Sequence, residues 1–255
     1  MTEPHAYDDH FFDWVDSGAR VSARALLPRV REAVDVASVV DVGCGRGTWL
    51  AVWSELGVTD IAGVDGPYVD RGKLAIPAEA FTTADLAGEW AIGRRFDLAQ
   101  SLEVAEHLPE SAARPLVGRL CGLADVVLFS AARPGQGGEM HVNEQEPEYW
   151  AELFAGHGFE MFDWLRPALA RDRRIEPWYR YNSFLYANAA GRKRLSAAAL
   201  ATRVPLGART APVDDPLWRL RLCVLRHLST DQVTRLSRAH YRATTLARTL
   251  RRGNV

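Results

Sequence analysis

Three cysteines in 255 residues, Cys44, Cys121 and Cys223, are odd in number and far apart. They supply neither a disulfide framework nor the paired spacing of a zinc site. No apolar run approaches the roughly 20 residues of a membrane span. Met1–Asp9 is polar and acidic, without the apolar core of a signal peptide. Internal repeats and low-complexity tracts are missing too. These absences argue against a secreted disulfide scaffold, a membrane-spanning chain and a solenoid, and the expected location is a reducing cytoplasm. The apolar share is 47% and the formal net charge −1, an ordinary globular balance. The length suits one α/β domain plus an appendage.

The near-zero charge hides an asymmetry. Residues 191–255 hold 14 Lys and Arg against three acids, a net of +11, while residues 1–190 hold 17 against 29, a net of −12. The break predicts a domain over 1–190 and a basic, α-helical C-terminal extension over 191–255. In the extension, Leu217, Leu220, Val224 and Leu228 recur at helical spacing, as do Val233, Leu236, Ala239, Ala243, Leu246 and Leu250. Ser229-Thr230-Asp231 reads as a cap between the two helices. Such a segment fits a second copy of the chain (a homodimer), an anionic membrane surface or lipid-linked acceptor, or another polyanion such as RNA. Trp218 and Tyr241 are its only Trp, Tyr or Phe residues, so it lacks a base-stacking platform, and no DNA partner is expected.

Strands are predicted at 38–42, 60–65, 79–82, 96–102 and 125–130, with helices near 47–56 and 110–122. That alternation implies a parallel, doubly wound α/β sheet with its ligands at the strands' C-terminal ends. Helices over 7–37, with Phe11, Phe12, Trp14, Val15, Leu26, Leu27 and Val30, should cap the sheet. Glu148–His157 reads as an amphipathic helix, and 159–165 and 182–188 as closing antiparallel strands. Pro134–Gly138 reads as a flexible loop after the fifth strand.

The first strand runs into Asp41-Val42-Gly43-Cys44-Gly45-Arg46-Gly47 and then a helix. Glycines there allow a tight turn and close approach of a ligand to main-chain N–H groups. The spacing is not the dinucleotide G-x-G-x-x-G. The run closely resembles motif I of class I S-adenosylmethionine (SAM) methyltransferases. Asp65 ends the second strand, where a carboxylate can accept both ribose hydroxyls. Thr83-Ala84-Asp85-Leu86 is similar to the family's loop meeting the adenine amino group, and Phe96–Glu103, with Ser101, to its fourth strand. The resemblance implies a seven-stranded Rossmann-like sheet, and SAM held by Asp41, Gly43, Gly45, Asp65, Asp85, Leu86 and Ser101.

The fourth strand leads into Glu103-Val104-Ala105-Glu106-His107. A helix beginning at Glu103 would put positions i, i+3 and i+4 on one face. Two carboxylates and an imidazole would then converge, a ligand set for Mg²⁺ or Mn²⁺. The same E-V-x-E-H run resembles two metal-dependent O-methyltransferase groups, one methylating a catechol and one the terminal ribose 2′-hydroxyl of small RNAs. In the RNA group a further histidine from the loop after strand five completes the site, which implies a metal set of Glu103, Glu106, His107 and His141. A metal would lower the acceptor hydroxyl's pKa and orient it. Alternatively, His141 is a general base oriented by Glu144 or Glu106, or the segment packs without metal.

The stretches Phe129–Gly138, His141-Val142-Asn143-Glu144-Gln145, Tyr149-Trp150 and Trp178–Asn182 are similar to a family found with bacterial glycan genes, including those of actinobacterial methylated mannose polysaccharides. This resemblance, over residues 7–190, implies an O-methyltransferase acting on a saccharide hydroxyl. Tyr149, Trp150, Trp178 and Tyr179 are the candidates to stack on sugar faces, with core packing as the alternative. Two further readings are an RNA ribose 2′-O-methyltransferase and a non-catalytic SAM-binding scaffold.

Overall fold

The apolar run Ser38–Val42 forms the first strand, β1, and its last four residues are fully buried. A computed structural model describes residues 9–213 and 215–237; the side chains of 9–15 and 17 lie outside the description. The parallel strands that follow are β2 (Asp60–Asp65), β3 (Phe81–Thr83), β4 (Leu98–Leu102) and β5 (Val126–Ser130). β4 and β5 are buried at every position, the signature of a sheet covered on both faces. β6 (Glu160–Phe162) and β7 (Phe184–Ala187) close the sheet antiparallel. With the two-residue β8 (Arg203–Val204), the order is β3-β2-β1-β4-β5-β7-β6-β8.

The eighth strand, Arg203–Val204, corrects the expected count of seven. Two residues are too few for a periodicity signal, and the pairing with β6 comes from tertiary contact. It also carries the sheet past residue 190, the expected domain boundary. Leu195 is buried in the core, and the Ser196 N–H donates to the Ala33 carbonyl.

The helices are α1 (Asp9–Ala33), α2 (Thr48–Glu55), α3 (Glu110–Leu123), α4 (Pro147–Ala155), α5 (Leu165–Leu169), α6 (Pro177–Asn182), α7 (Ala189–Arg192), α8 (Ala197–Leu200) and α9 (Pro216–Leu225). The expected N-terminal helices are one helix, α1, which buries Leu26, Leu27 and Val30 against α2 and the sheet. Phe11, Phe12, Trp14 and Val15 fall outside the described side chains. A further helix starts at residue 230 and is described to 237. Ser229 and Gln232 cap it reciprocally: the Gln232 N–H donates to Ser229 Oγ and the Ser229 N–H to Gln232 Oε1. The expected run to Leu250 continues beyond the described residues.

Two cores flank the sheet. One packs α1 and α2 on it, around Leu26, Leu50 and Trp53; the other packs α3 and α4, around Leu116, Phe129, Trp150 and Phe154. No described helix is long and apolar enough to cross a membrane.

Candidate active site

Parallel strands leave their C-terminal ends at one edge, and the loops there enclose a cleft of about 1390 Å³. A single small-molecule site is typically about 300–1,000 Å³, so this cleft has room for two reactants.

At the first loop, Gly43, Gly45 and Gly47 all have positive φ (84°, 54° and 81°). A Cβ on Gly43 would lie 2.3 Å from Val104 Cγ2, so the turn needs glycine for both conformation and space. The Gly43 and Cys44 N–H groups donate to the Val64 carbonyl, which ties the turn to β2. Asp65 accepts from the Gly45 N–H (2.6 Å), the Gly66 N–H (2.6 Å) and the Tyr68 hydroxyl. Burial pushes its carboxyl pKa up, opposed by those donors. Gly43, Gly45, Asp65, Asp85 and Leu86 all line the cleft. Asp41 and Ser101, expected beside them, do not. Asp41 is buried within β1, and Ser101 Oγ donates to the Val42 carbonyl inside the sheet (2.8 Å). α1 covers the cleft with Asp16, which pairs with Arg46 (3.5 Å) and accepts from Thr48 Oγ1 (2.6 Å).

In the same cleft, Glu106, His107 and His141 converge, with one ligand atom from each lying within 4.8 Å of the others. The expected helix from Glu103 is absent. Glu103 sits at φ 56°, and only Ala105–His107 forms a 3₁₀ turn. The main chain explains why His141 arrives here: the Glu106 carbonyl accepts the N–H groups of Val142 (2.8 Å) and Asn143 (3.0 Å). His107 and His141 meet edge to face at 4.8 Å. Burial, then the neighbouring His141, lowers the His107 pKa to about 3. Burial, then the charge of Glu103, raises the Glu106 carboxyl well above the usual range.

Glu103 lines the cleft but stands outside the three-residue cluster. Its carboxylate accepts from Gln136 Nε2 (2.6 Å) and Asn182 Nδ2 (3.3 Å), and Asn182 Nδ2 also donates to Gln136 Oε1 (2.6 Å). The three groups that meet are one carboxylate and two imidazoles. That set favours Mn²⁺ over Mg²⁺, which prefers oxygen ligands. Neither Glu106 carboxylate oxygen makes a hydrogen bond of normal geometry although both are buried, and orphaned buried carboxylate oxygens of this kind fit a cation.

Glu144 holds His141 from behind, with Oε1 2.8 Å from Nδ1. The same carboxylate accepts the N–H groups of Gly135 (2.8 Å) and Gly137 (3.0 Å). The 134–138 loop, read from sequence as flexible, is thus tied down by one side chain. Of the expected acceptor aromatics, Trp178 and Tyr179 line the cleft, and Tyr179 packs edge-on to Trp49 at 4.9 Å. Tyr149 and Trp150 do not. Trp150 is buried against Phe129 (5.1 Å) and Tyr149 packs on Trp150 (5.0 Å), both serving the core.

Sequence reading missed Gln136, Asn182 and the wall built by the C-terminal segment. Asp215, Leu217, Trp218, Arg221 and Val233 line the cleft. Arg221 Nε donates to the Gln136 carbonyl (2.9 Å), and Thr234 Oγ1 accepts the Met140 N–H (3.2 Å). Glycines allow this docking: a Cβ on Gly135 would lie 2.3 Å from the Leu222 carbonyl oxygen, and one on Gly137 2.8 Å from Val233 Cγ1.

Residues 15–116 match the family model described as a methyltransferase domain. No curated protein sequence matches the chain. Among solved structures, the sugar N-methyltransferase KedS8 from Streptoalloteichus is 17% identical, with 74% of this chain and 98% of that one covered and a TM-score of 0.49. The SAH complex of magnesium protoporphyrin IX methyltransferase from Synechocystis is 18% identical, with 74% and 90% covered and a TM-score of 0.48. DesVI from Streptomyces venezuelae is 19% identical, with 54% and 62% covered and a TM-score of 0.42, so the match spans less than two thirds of DesVI.

Proposed function

We propose that this protein is a SAM-dependent O-methyltransferase acting on a saccharide hydroxyl. The observation that carries the reading is one cleft lined by two chemically distinct groups. The glycine turn, Asp65 and Asp85 line it, and so do Glu106, His107 and His141, which meet one another. The methyltransferase-domain match over residues 15–116 supports the SAM group. The likeness of the His141–Gln145 and Trp178–Asn182 segments to glycan-modifying enzymes supports the saccharide.

In this reading the positive-φ glycines let SAM approach the main chain, and Asp65 and Asp85 hold its ribose and adenine. Trp178, half-buried at the cleft, offers aromatic surface to the acceptor sugar, with the buried Tyr179 packed behind it. Methyl transfer breaks the S–CH₃ bond and forms the O–CH₃ bond, leaving S-adenosylhomocysteine. The hydroxyl proton goes to His141, whose Nδ1 is engaged by Glu144 and whose Nε2 is the nitrogen left to accept it. Held by two fixed groups of residues, the reactants gain rate from orientation. Alternatively, Glu106, His107 and His141 would hold a divalent cation, with His141 Nε2 then a ligand rather than the base and Glu144 the outer partner such a ligand usually has. That ion would supply Lewis-acid polarisation of the hydroxyl.

Methyl transfer from labelled SAM to mannose-type and other oligosaccharides tests this, with EDTA or added Mn²⁺, for wild type, His141→Ala and Glu106→Ala. Transfer to a saccharide that His141→Ala abolishes is the expected result. Sensitivity to EDTA together with loss in Glu106→Ala assigns the metal role, and resistance to EDTA assigns His141 the base role. A protein that binds SAM and methylates no saccharide sinks the acceptor assignment, and RNA is then the next acceptor to assay.

A further inference from the structure

The cleft opens beside a helix face that the described protein leaves uncovered. In α9, Leu217, Leu220 and Val224 follow at spacings of three and four and so share one face. They are 78%, 60% and 54% exposed. The opposite face is the anchored one, with Trp218 and Leu222 packed on Tyr181 and Val213. Leu236, in the helix that starts at residue 230, is exposed as well. Leu217 and Leu236 line the cleft as well, so the apolar patch is continuous with its mouth. Exposed leucines gathered at the entrance of a site mark a contact surface rather than scattered surface apolarity.

Charge selects the occupant. Arg219, Arg226 and Arg235 are exposed on the same segment, and residues 191–255 carry a net +11. A second copy docked segment to segment would set this excess against itself. An RNA would use the arginines and leave the leucines without a role. We infer that the Leu217–Leu220–Val224 face seats the protein on an anionic lipid bilayer, with the leucines at the headgroup–acyl boundary and the arginines against lipid phosphates. The consequence for the acceptor rests on the methyltransferase reading above: a cleft that opens at the bilayer takes a saccharide carried on a lipid.

Flotation of the full chain tests the docking, using phosphatidylcholine vesicles with and without phosphatidylglycerol. The expected result is flotation with the anionic vesicles only, falling as salt rises. In Leu220→Glu/Val224→Glu, the partition coefficient should drop by about tenfold or more, with the thermal midpoint and SAM affinity unchanged. Neither residue lines the cleft. Cys223 is exposed while Cys44 and Cys121 are buried. An environment-sensitive dye on Cys223 of the otherwise unaltered chain should therefore shift to shorter wavelength on anionic vesicles. A chain that stays unbound at low salt overturns the inference. So does a double variant that floats like wild type, or a wild-type dimer that the double variant converts to monomer. SAM titration on the same samples separates the two readings: SAM binding without flotation overturns the docking alone. Flotation without SAM binding overturns the methyltransferase and leaves the docking standing.

Discussion

Glu144 Oε1 lies 2.8 Å from His141 Nδ1, and the same carboxylate holds the Gly135 and Gly137 amides. One side chain therefore fixes both the imidazole and the loop that carries it. Glu144→Gln keeps an accepting oxygen for only one of the two amides, since Gly135 donates to Oε2 and Gly137 to Oε1, and it removes the charge behind the ring. The expected outcome is a fall in kcat of about 10- to 100-fold, with the SAM Kd within twofold of wild type. Glu144→Ala, which frees the loop too, should lose more activity and also raise the acceptor KM. Steady-state kinetics beside SAM titration separate these. Equal kcat in wild type and Glu144→Gln would remove the positioning role.

Gly138 is the other constraint on His141. A Cβ there would lie 2.1 Å from His141 Nε2. Since Glu144 anchors the ring's far side, the imidazole has to tilt. Gly138→Ala should cut kcat about tenfold or more at unchanged SAM affinity, because a displacement of about 1 Å at a reacting group is enough. Gly122→Ala, where an added Cβ meets nothing within 4 Å, is the control and should match wild type.

Burial lifts the Asp41 carboxyl pKa to about 7, with Gln100 opposing and the Asp65 charge adding. An unfolded aspartate titrates near 3.9. Between about pH 4 and 7 the folded chain thus holds more protons than the unfolded one, so this group lowers stability as pH rises through that window and adds nothing further above it. Asp41→Asn should gain stability relative to wild type across the same range. Urea midpoints in steps between about pH 5 and 8 give the comparison. A difference independent of pH would refute the buried-carboxyl account.

Asp215 caps α9 by accepting the Leu217 and Trp218 N–H groups, and it accepts the Tyr181 hydroxyl at 2.8 Å. Those donors, the Trp218 N–H first, hold its carboxyl pKa below the ordinary value. Asp215→Ala should remove about 1 kcal/mol of local helix stability and loosen the wall of the cleft. Faster hydrogen exchange across 216–225 and a several-fold rise in acceptor KM are expected, at unchanged SAM Kd. Unaltered exchange would mean that the cap does not hold the helix in place.

The strand-to-turn segments were legible because their causes are local. Val39 to Gly45 places a buried strand directly before positive-φ glycines, Asp65 ends β2, and Asp85 follows the end of β3 within a few residues. Ser101 was misread for a related reason: every second residue of a strand faces the other side of the sheet, and sequence order alone does not say which. The conformation at Glu103 was not legible because Ser130, Gln136 and Asn182, 27, 33 and 79 residues away, draw its backbone and carboxylate out of the expected helix.

The sequence by itself determined the sheet, the glycine turn and the histidine–carboxylate inventory, since hydrophobic period and glycine conformation act between near neighbours. Only the tertiary structure decided which of those groups meet. The Glu106 carbonyl, by taking the Val142 and Asn143 amides, brings His141 to Glu106 and His107. Only it decided, too, that the basic segment forms a wall of the cleft, because contacts such as Arg221 to the Gln136 carbonyl join residues 85 positions apart. No local pattern encodes such a pairing.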